Sequence, residues 1–343
     1  MLKPDQKLAI HFFEQIDKLN GKMGHGVLRY SRNPIACAID LNHGGRSTRD
    51  LLDFGPDVPI YSNVESAMSA GGEVLILGMA PSGGRLPPEM VEEVDRAVSA
   101  GMSVINGLHE QLGPRYPNLP EGQWIWDIRQ EPKDLGIAWA RAAKLSNRRA
   151  LLVGTDMAVG KMTAGLEIWH AALRADVRAD FLATGQIGIL VSGKGVPLDA
   201  IRVDYACGAI EKMVLEAADA DLAIVEGQGS IVPPGSTSTL PLMRGSCPTH
   251  LILCHRAGMT HLDTVGDPVK VPPLNEIIAL YEDIANGCGA FKRPVTAGIA
   301  LNTAHLSEAD ASRAIAQTAD ETGRLTLDPV RDGADALVKA LMD

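Results

Sequence analysis

The chain has 343 residues, more than one average domain of roughly 100–200 residues needs, and its 45% hydrophobic and 22% charged content is that of a folded protein. A net charge of -10 argues against a nucleic-acid surface, which would need a cationic footprint. No uncharged apolar stretch approaches the ~20 residues of a membrane span, and the Met1-to-Ile10 segment lacks the apolar core of a signal peptide.

Short apolar runs alternate with helix-like stretches, the pattern of parallel sheets with crossover helices. In the first third, strands are expected near Ile35–Leu41, Val58–Tyr61, Val74–Leu77 and Ser103–Asn106, each followed by a loop rich in Gly, Asn, Ser or Pro. Pro87 to Ala100 reads as a helix, with proline at its start, acids in its first turns and Gly101 just past its end. From Gly113 to about Asn147 the rhythm breaks at Pro114, Pro117, Pro120 and Pro132. A domain boundary is expected between about residues 125 and 147, giving an N-terminal substrate domain over 1–135 and a second domain over 136–343. Beyond it, strands are expected at Arg149–Val153, Ala179–Thr184, Leu222–Glu226, Thr249–Cys254, Val295–Asn302 and Leu325–Leu327. Helices fit Lys161–Ala175, Leu198–Ala218, Leu274–Asn286 and Ser307–Thr322. The cysteines (Cys37, Cys207, Cys247, Cys254, Cys288) form no CxxC pair and the histidines no zinc constellation, so reduced thiols, no metal site and a cytoplasmic location are expected.

The strongest chemical signal is Leu151 to Thr163. An apolar strand, Gly154, a turn of Thr155, Asp156, Met157, Ala158 and Val159, and a helix opening at Gly160-Lys161 satisfy the context of a phosphate-binding loop. Backbone N–H groups of such a loop converge on an anion, the helix N-terminus adds partial positive charge, and Lys161 supplies a cation. The usual motif places Ser or Thr directly after the lysine, where the hydroxyl holds Mg²⁺. Here Met162 stands in that place. Thr163, one residue on, is rotated by about 100° around the helix and does not replace it.

The loop resembles the Gly-Thr-Asp-x-x-Val-Gly-Lys loop of dethiobiotin synthetase and related P-loop proteins. Glu226-Gly227-Gln228-Gly229-Ser230 matches their Glu-Gly turn, and Asn302 stands where that group reads the adenine base. A fuller resemblance covers nearly the whole chain. Asp40-Leu41-Asn42-His43-Gly44-Gly45-Arg46-Ser47, Ala80 to Pro87, Gly107-Leu108-His109-Glu110, the P-loop, Ala183 to Gly188 and Glu226 to Ser230 are similar to a two-domain family long catalogued as of unknown function. The resemblance implies an α/β protein of two parallel-sheet domains, Rossmann-like in the N-terminal half and P-loop NTPase-like in the C-terminal half. It also implies the activity of the family's D-glutamate N-acetyltransferases, which move an acetyl group from acetyl-CoA to D-glutamate. The chain departs from the family at Ile231-Val232-Pro233-Pro234, where members often carry a histidine.

Acetyl transfer to an amine needs a base and donors for the thioester oxyanion, and an acidic amino acid needs cations for its carboxylates. Arg46 and Arg85, each in a Gly-Gly-Arg loop after a strand, are the candidates for the carboxylates, with Gly83 and Gly84 offering backbone N–H groups. Glu226 is the candidate base, or else a structural acid orienting Lys161, and His109 is the second choice. His43 stands close enough to Arg46 to orient substrate. Gly154, Thr155, Asp156, Ala158, Val159, Gly160, Lys161, Met162 and Thr163, with Gln186 and Asn302, are expected to hold the acetyl-CoA phosphates and base. The competing readings are an ATP- and Mg²⁺-dependent ligase or kinase of the dethiobiotin synthetase type, and a nucleotide-binding regulator without catalysis. The expected partners are a small acidic amino acid and further copies of the chain.

Overall fold

The computed structural model describes residues 2–79, 85–235, 237–263, 265 and 268–343. They form two compact units, one ending at Glu131 and also taking in Ile189–Ala200, the other made of Pro132–Gly188 and Ile201–Asp343. Each is built on one six-stranded sheet in which every pairing is parallel. This is the α/β class that the alternation of apolar runs and helices implies.

In the first unit the strands are β1 (Leu8–His11), β2 (Ile35–Ile39), β3 (Ile60–Tyr61), β4 (Val74–Leu77), β5 (Ser103–Asn106) and β6 (Ile125–Asp127), in the order β3-β2-β1-β4-β5-β6. The expected list lacks β1, although it is central. Its four residues, all buried, pair with β2 on one side and β4 on the other. It is too short for periodicity to announce, and no glycine loop follows it. β6 also goes unread, lying inside the proline-rich stretch. Strands covered on both faces read as unbroken apolar runs rather than alternating ones; β4 (Val-Leu-Ile-Leu) and β1 do so. Their side chains meet Val64, Met90, Val94 and Ala97 from the helices in one core. The helix Pro88–Ser99 has proline in its first turn and stops before Gly101, as its start and stop signals predict.

The second unit contains β7 (Arg148–Gly154), β8 (Ala179–Leu182), β9 (Leu222–Val225), β10 (His250–Arg256), β11 (Val295–Asn302) and β12 (Thr326–Leu327), ordered β12-β11-β10-β7-β9-β8. β7 lies between β10 and β9, so the carboxyl ends of all three, with that of β11, share one edge of the sheet. Helices occur at Lys161–Arg174, Leu274–Asn286 and Glu308–Thr322, the last capped by the Ser307 hydroxyl, which accepts from the Asp310 N–H. The single helix expected over Leu198–Ala218 is corrected: the chain makes a short 3-10 turn at Leu198–Ala200 and then the helix Val203–Glu216. Glu211 of that helix is fully buried and accepts from the Trp139 and Arg141 N–H groups, with the Arg141 side chain 2.9 Å away. A buried carboxylate is tolerable only when so satisfied. Among the described residues no helix is long and apolar enough to cross a membrane.

Candidate functional site

The P-loop grows directly out of β7. Gly160 takes φ +104°, open to glycine and disfavoured for other residues, and the helix begins at Lys161. The Lys161 side chain is buried and its Nζ donates to the Asp156 carbonyl at 2.7 Å. Burial pushes its pKa down from the ordinary lysine value, opposed by Cys254, Asp156 and Glu226. The Asp156 carboxylate is turned inward and accepts from the N–H groups of Met157 (2.7 Å) and Asp263 (2.8 Å), which holds the loop shape. Thr155 Oγ1 lies 3.0 Å from His255 Nδ1, and burial with the nearby Arg256 holds that imidazole down at about 4. The Gly154 carbonyl accepts from two hydroxyls, Ser230 at 2.7 Å and Tyr281 at 2.8 Å. Ser230, the last residue of the Glu226–Ser230 segment, therefore tethers that segment to the end of β7. Val159 is buried, whereas Met162 and Thr163 are half-buried in the first turn of the helix.

Glu226 follows β9 and is 2% exposed. One carboxyl oxygen, Oε2, accepts from the Thr184 and Gly185 N–H groups at 2.7 and 3.0 Å. Burial pushes the carboxyl up to about 7, against those two donors and the pull of Lys161. A carboxyl that titrates near neutrality is suited to proton transfer at physiological pH. Glycines make room for it. A Cβ on Gly188 would stand 2.6 Å from Oε2, and one on Gly185 2.6 Å from the Gln228 amide. Gln186 opens the next helix and is half-buried.

Gly227 explains why the turn after β9 is a Glu-Gly turn. A Cβ there would lie 1.8 Å from the Leu152 carbonyl oxygen in β7 and 2.9 Å from Lys161 Cδ. Gly227→Ala is expected to cost about 3 kcal/mol or more, the upper part of the overpacking range, because a backbone atom cannot step aside. Urea denaturation would measure it, and an unchanged midpoint would show that this turn is not seated on β7.

Asn302 closes the far side of the loop. A Cβ on Gly160 would meet its Nδ2 at 3.5 Å, and its Oδ1 accepts from the Ala304 N–H. Ala158, Arg256, Ala257, Gly258, Met259, Asn302, Ala304 and His305 line an open cleft of about 560 Å³. The cleft is large enough for an adenosine, whose base edge an amide can read.

In the first unit, Arg46, Arg85 and His109 all follow strands at the carboxyl edge of the sheet, where ligands of open α/β sheets sit. Arg46 is 48% exposed, with the Asp50 carbonyl at 3.2 Å and the Asp50 carboxylate at 4.0 Å near its guanidinium. Arg85 is exposed, and Gly83 and Gly84 lie outside the described residues. His109 is half exposed, with Nε2 4.0 Å from Asp199. Sequence reasoning passed over three features. Asp40, just past β2, is fully buried and bonded to His43; His11, ending β1, is fully buried with Nε2 3.6 Å from Glu93; and Tyr281 reaches the P-loop. The one available signal was the acid directly after an apolar strand, Ile39-Asp40, since a charge there rarely enters the core unpaired.

Comparison with known proteins gives a consistent picture. The profile of DUF1611, a domain of unknown function described as a P-loop domain, matches residues 136–338, and its N-terminal counterpart, described as Rossmann-like, matches 41–131. A protein of Tritonibacter scottomollicae named D-glutamate N-acetyltransferase is 34% identical over 284 residues, 81% of this chain and 84% of that protein. One of a Pseudoalteromonas species, with the same name, is 32% identical over 99% of both chains. The crystal structure of a DUF1611 family protein from Anabaena variabilis matches with TM-score 0.94 and 48% identity, covering 98% of this chain and 99% of that one.

Proposed function

Because the chain belongs to the DUF1611 family, with its Rossmann-like and P-loop domains in order, we propose that it is a cytoplasmic N-acetyltransferase moving the acetyl group of acetyl-CoA to the amine of D-glutamate. Two relatives named for that reaction, each matching most of this chain, support the reading. The observation that carries it is the P-loop itself: a buried lysine and a glycine-bearing turn, with Met162 where a magnesium hydroxyl would stand. Such a loop suits a ligand whose phosphates are held and not cleaved. Coenzyme A fits, because its pyrophosphate and adenosine phosphate serve only as a handle. An ATP-dependent ligase would use the same cleft; Met162 in the magnesium position favours coenzyme A.

Under this reading Lys161 and the backbone of Gly154–Thr163 hold CoA phosphates, and Asn302 faces the adenine. Glu226 takes the proton that the nitrogen loses during transfer. Arg46 and Arg85 bind the carboxylates of the acceptor. Incubating the protein with acetyl-CoA and D-glutamate is expected to release free thiol, with slower release for L-glutamate. Magnesium-dependent ATP turnover with no thiol release from any acidic amino acid would overturn the proposal. Arg46→Ala and Arg85→Ala are each expected to raise KM for the amino acid about 10-fold, the loss of one charge-assisted pair, with KM for acetyl-CoA unchanged. A rise in KM for acetyl-CoA instead would reassign these arginines to the donor.

A further inference from the structure

The turn that carries Arg46 also carries a histidine set up as a proton acceptor. His43 Nδ1 lies 2.8 Å from Asp40 Oδ1, and the Asp40 side chain is fully buried while that of His43 remains 16% exposed. A carboxylate oxygen can only accept, so Nδ1 carries the hydrogen and the neutral ring keeps its lone pair on Nε2. In dinucleotide-binding sheets an acid after the second strand takes a ribose hydroxyl. Asp40 is committed elsewhere: Oδ1 also accepts from the Asn42 N–H at 3.1 Å, and Oδ2 from the Ile16 N–H at 3.2 Å. Its oxygens are occupied in orienting His43 and in pinning the loop after β1. A second carboxylate, Asp17, lies 3.8 Å from His43 Nε2. The Arg46 N–H donates to the His43 carbonyl at 3.3 Å, so the histidine and the arginine share one tight turn.

Resting on the acetyltransferase reading, we propose that His43 is a catalytic residue that deprotonates the acceptor's ammonium group, with Asp40 as its positioning residue. An amino acid reaches the site as an ammonium ion, which has no lone pair to attack with. His43 Nε2 takes one proton and leaves the free amine. The nitrogen then forms its bond to the thioester carbonyl carbon, and the carbon–sulfur bond breaks. The second nitrogen proton ends on the departing CoA sulfur, which leaves as the thiol, while His43 returns its proton to water. An α-amino acid suits the turn because its ammonium group is one carbon from a carboxylate that Arg46 can hold.

The test compares the full-length protein with His43→Ala, Asp40→Asn and the double variant, each checked for its melting temperature. His43→Ala is expected to lower kcat about 100-fold, the range of a lost acid–base group, with KM for acetyl-CoA unchanged and with partial recovery in added imidazole. Asp40→Asn is expected to lower kcat about 10-fold or more, and the double variant to be no slower than His43→Ala alone, because Asp40 acts through the histidine. Full activity in His43→Ala, or a loss that imidazole does not restore and that follows the melting temperature, would overturn the role while leaving the acetyltransferase reading intact. Absence of thiol release in the unaltered protein would overturn both. Because Asp40 is buried, His43→Ala carries the decision if Asp40→Asn fails to fold.

Discussion

Glu226→Gln is expected to lower kcat at least 100-fold, the ordinary range for removing a general base, and to raise thermal stability above pH 7. The two effects share one cause. The folded carboxyl titrates near 7 because it is buried, whereas in the unfolded chain it titrates near 4.5. Between those values the folded state keeps a proton that the unfolded state has released. Stability from this group is therefore full below about 4.5 and falls as pH rises toward 7. Across the window the loss is on the order of 3 kcal/mol, from about 1.4 kcal/mol per pH unit. Glutamine keeps an acceptor for the Thr184 N–H and carries no charge to bury, so it escapes that loss. Melting curves at pH 5 and pH 8 would show the variant's advantage only at the higher pH. A variant with full activity would return Glu226 to a structural role beside Lys161.

Lys161→Met is expected to weaken acetyl-CoA binding on the order of 10- to 100-fold, the worth of one charge-assisted phosphate contact. It should leave the ligand-free fold intact. Methionine keeps the length of the stem and removes an ammonium group whose burial already pushes its pKa down. Titration calorimetry with CoA and with ATP·Mg²⁺ would measure the change. Unchanged affinity for CoA would place the phosphates elsewhere. A loss confined to ATP would favour the ligase reading.

The P-loop and the candidate base were legible because their logic is local. A strand, a glycine, a lysine and a helix follow one another within Arg148–Arg174, and Glu226 ends an apolar run. What joins distant segments was not legible. Tyr281 reaches Gly154 across much of the chain, and Glu211 holds Trp139 and Arg141. Neither residue type at either position carries a local pattern. The dyad of Asp40 and His43 was hidden differently. Both residues lay in a segment already singled out, but their roles depend on Asp40 being fully buried, and that follows from β1, the strand the reading missed.

The first unit's claim on Ile189–Ala200 has a consequence for how the chain folds during synthesis. All six strands of its sheet have left the ribosome once Asp127 is clear. Its Arg129, however, still lacks the carboxylate of Asp199, which it meets at 3.2 Å. That partner arrives only after β7, the P-loop and β8 have been made. The usual order has the N-terminal domain complete before the next begins; here the last piece of the first unit is made after the second has started, and a stall in translation before Asp199 leaves the first unit without Ile189–Ala200 and that ion pair.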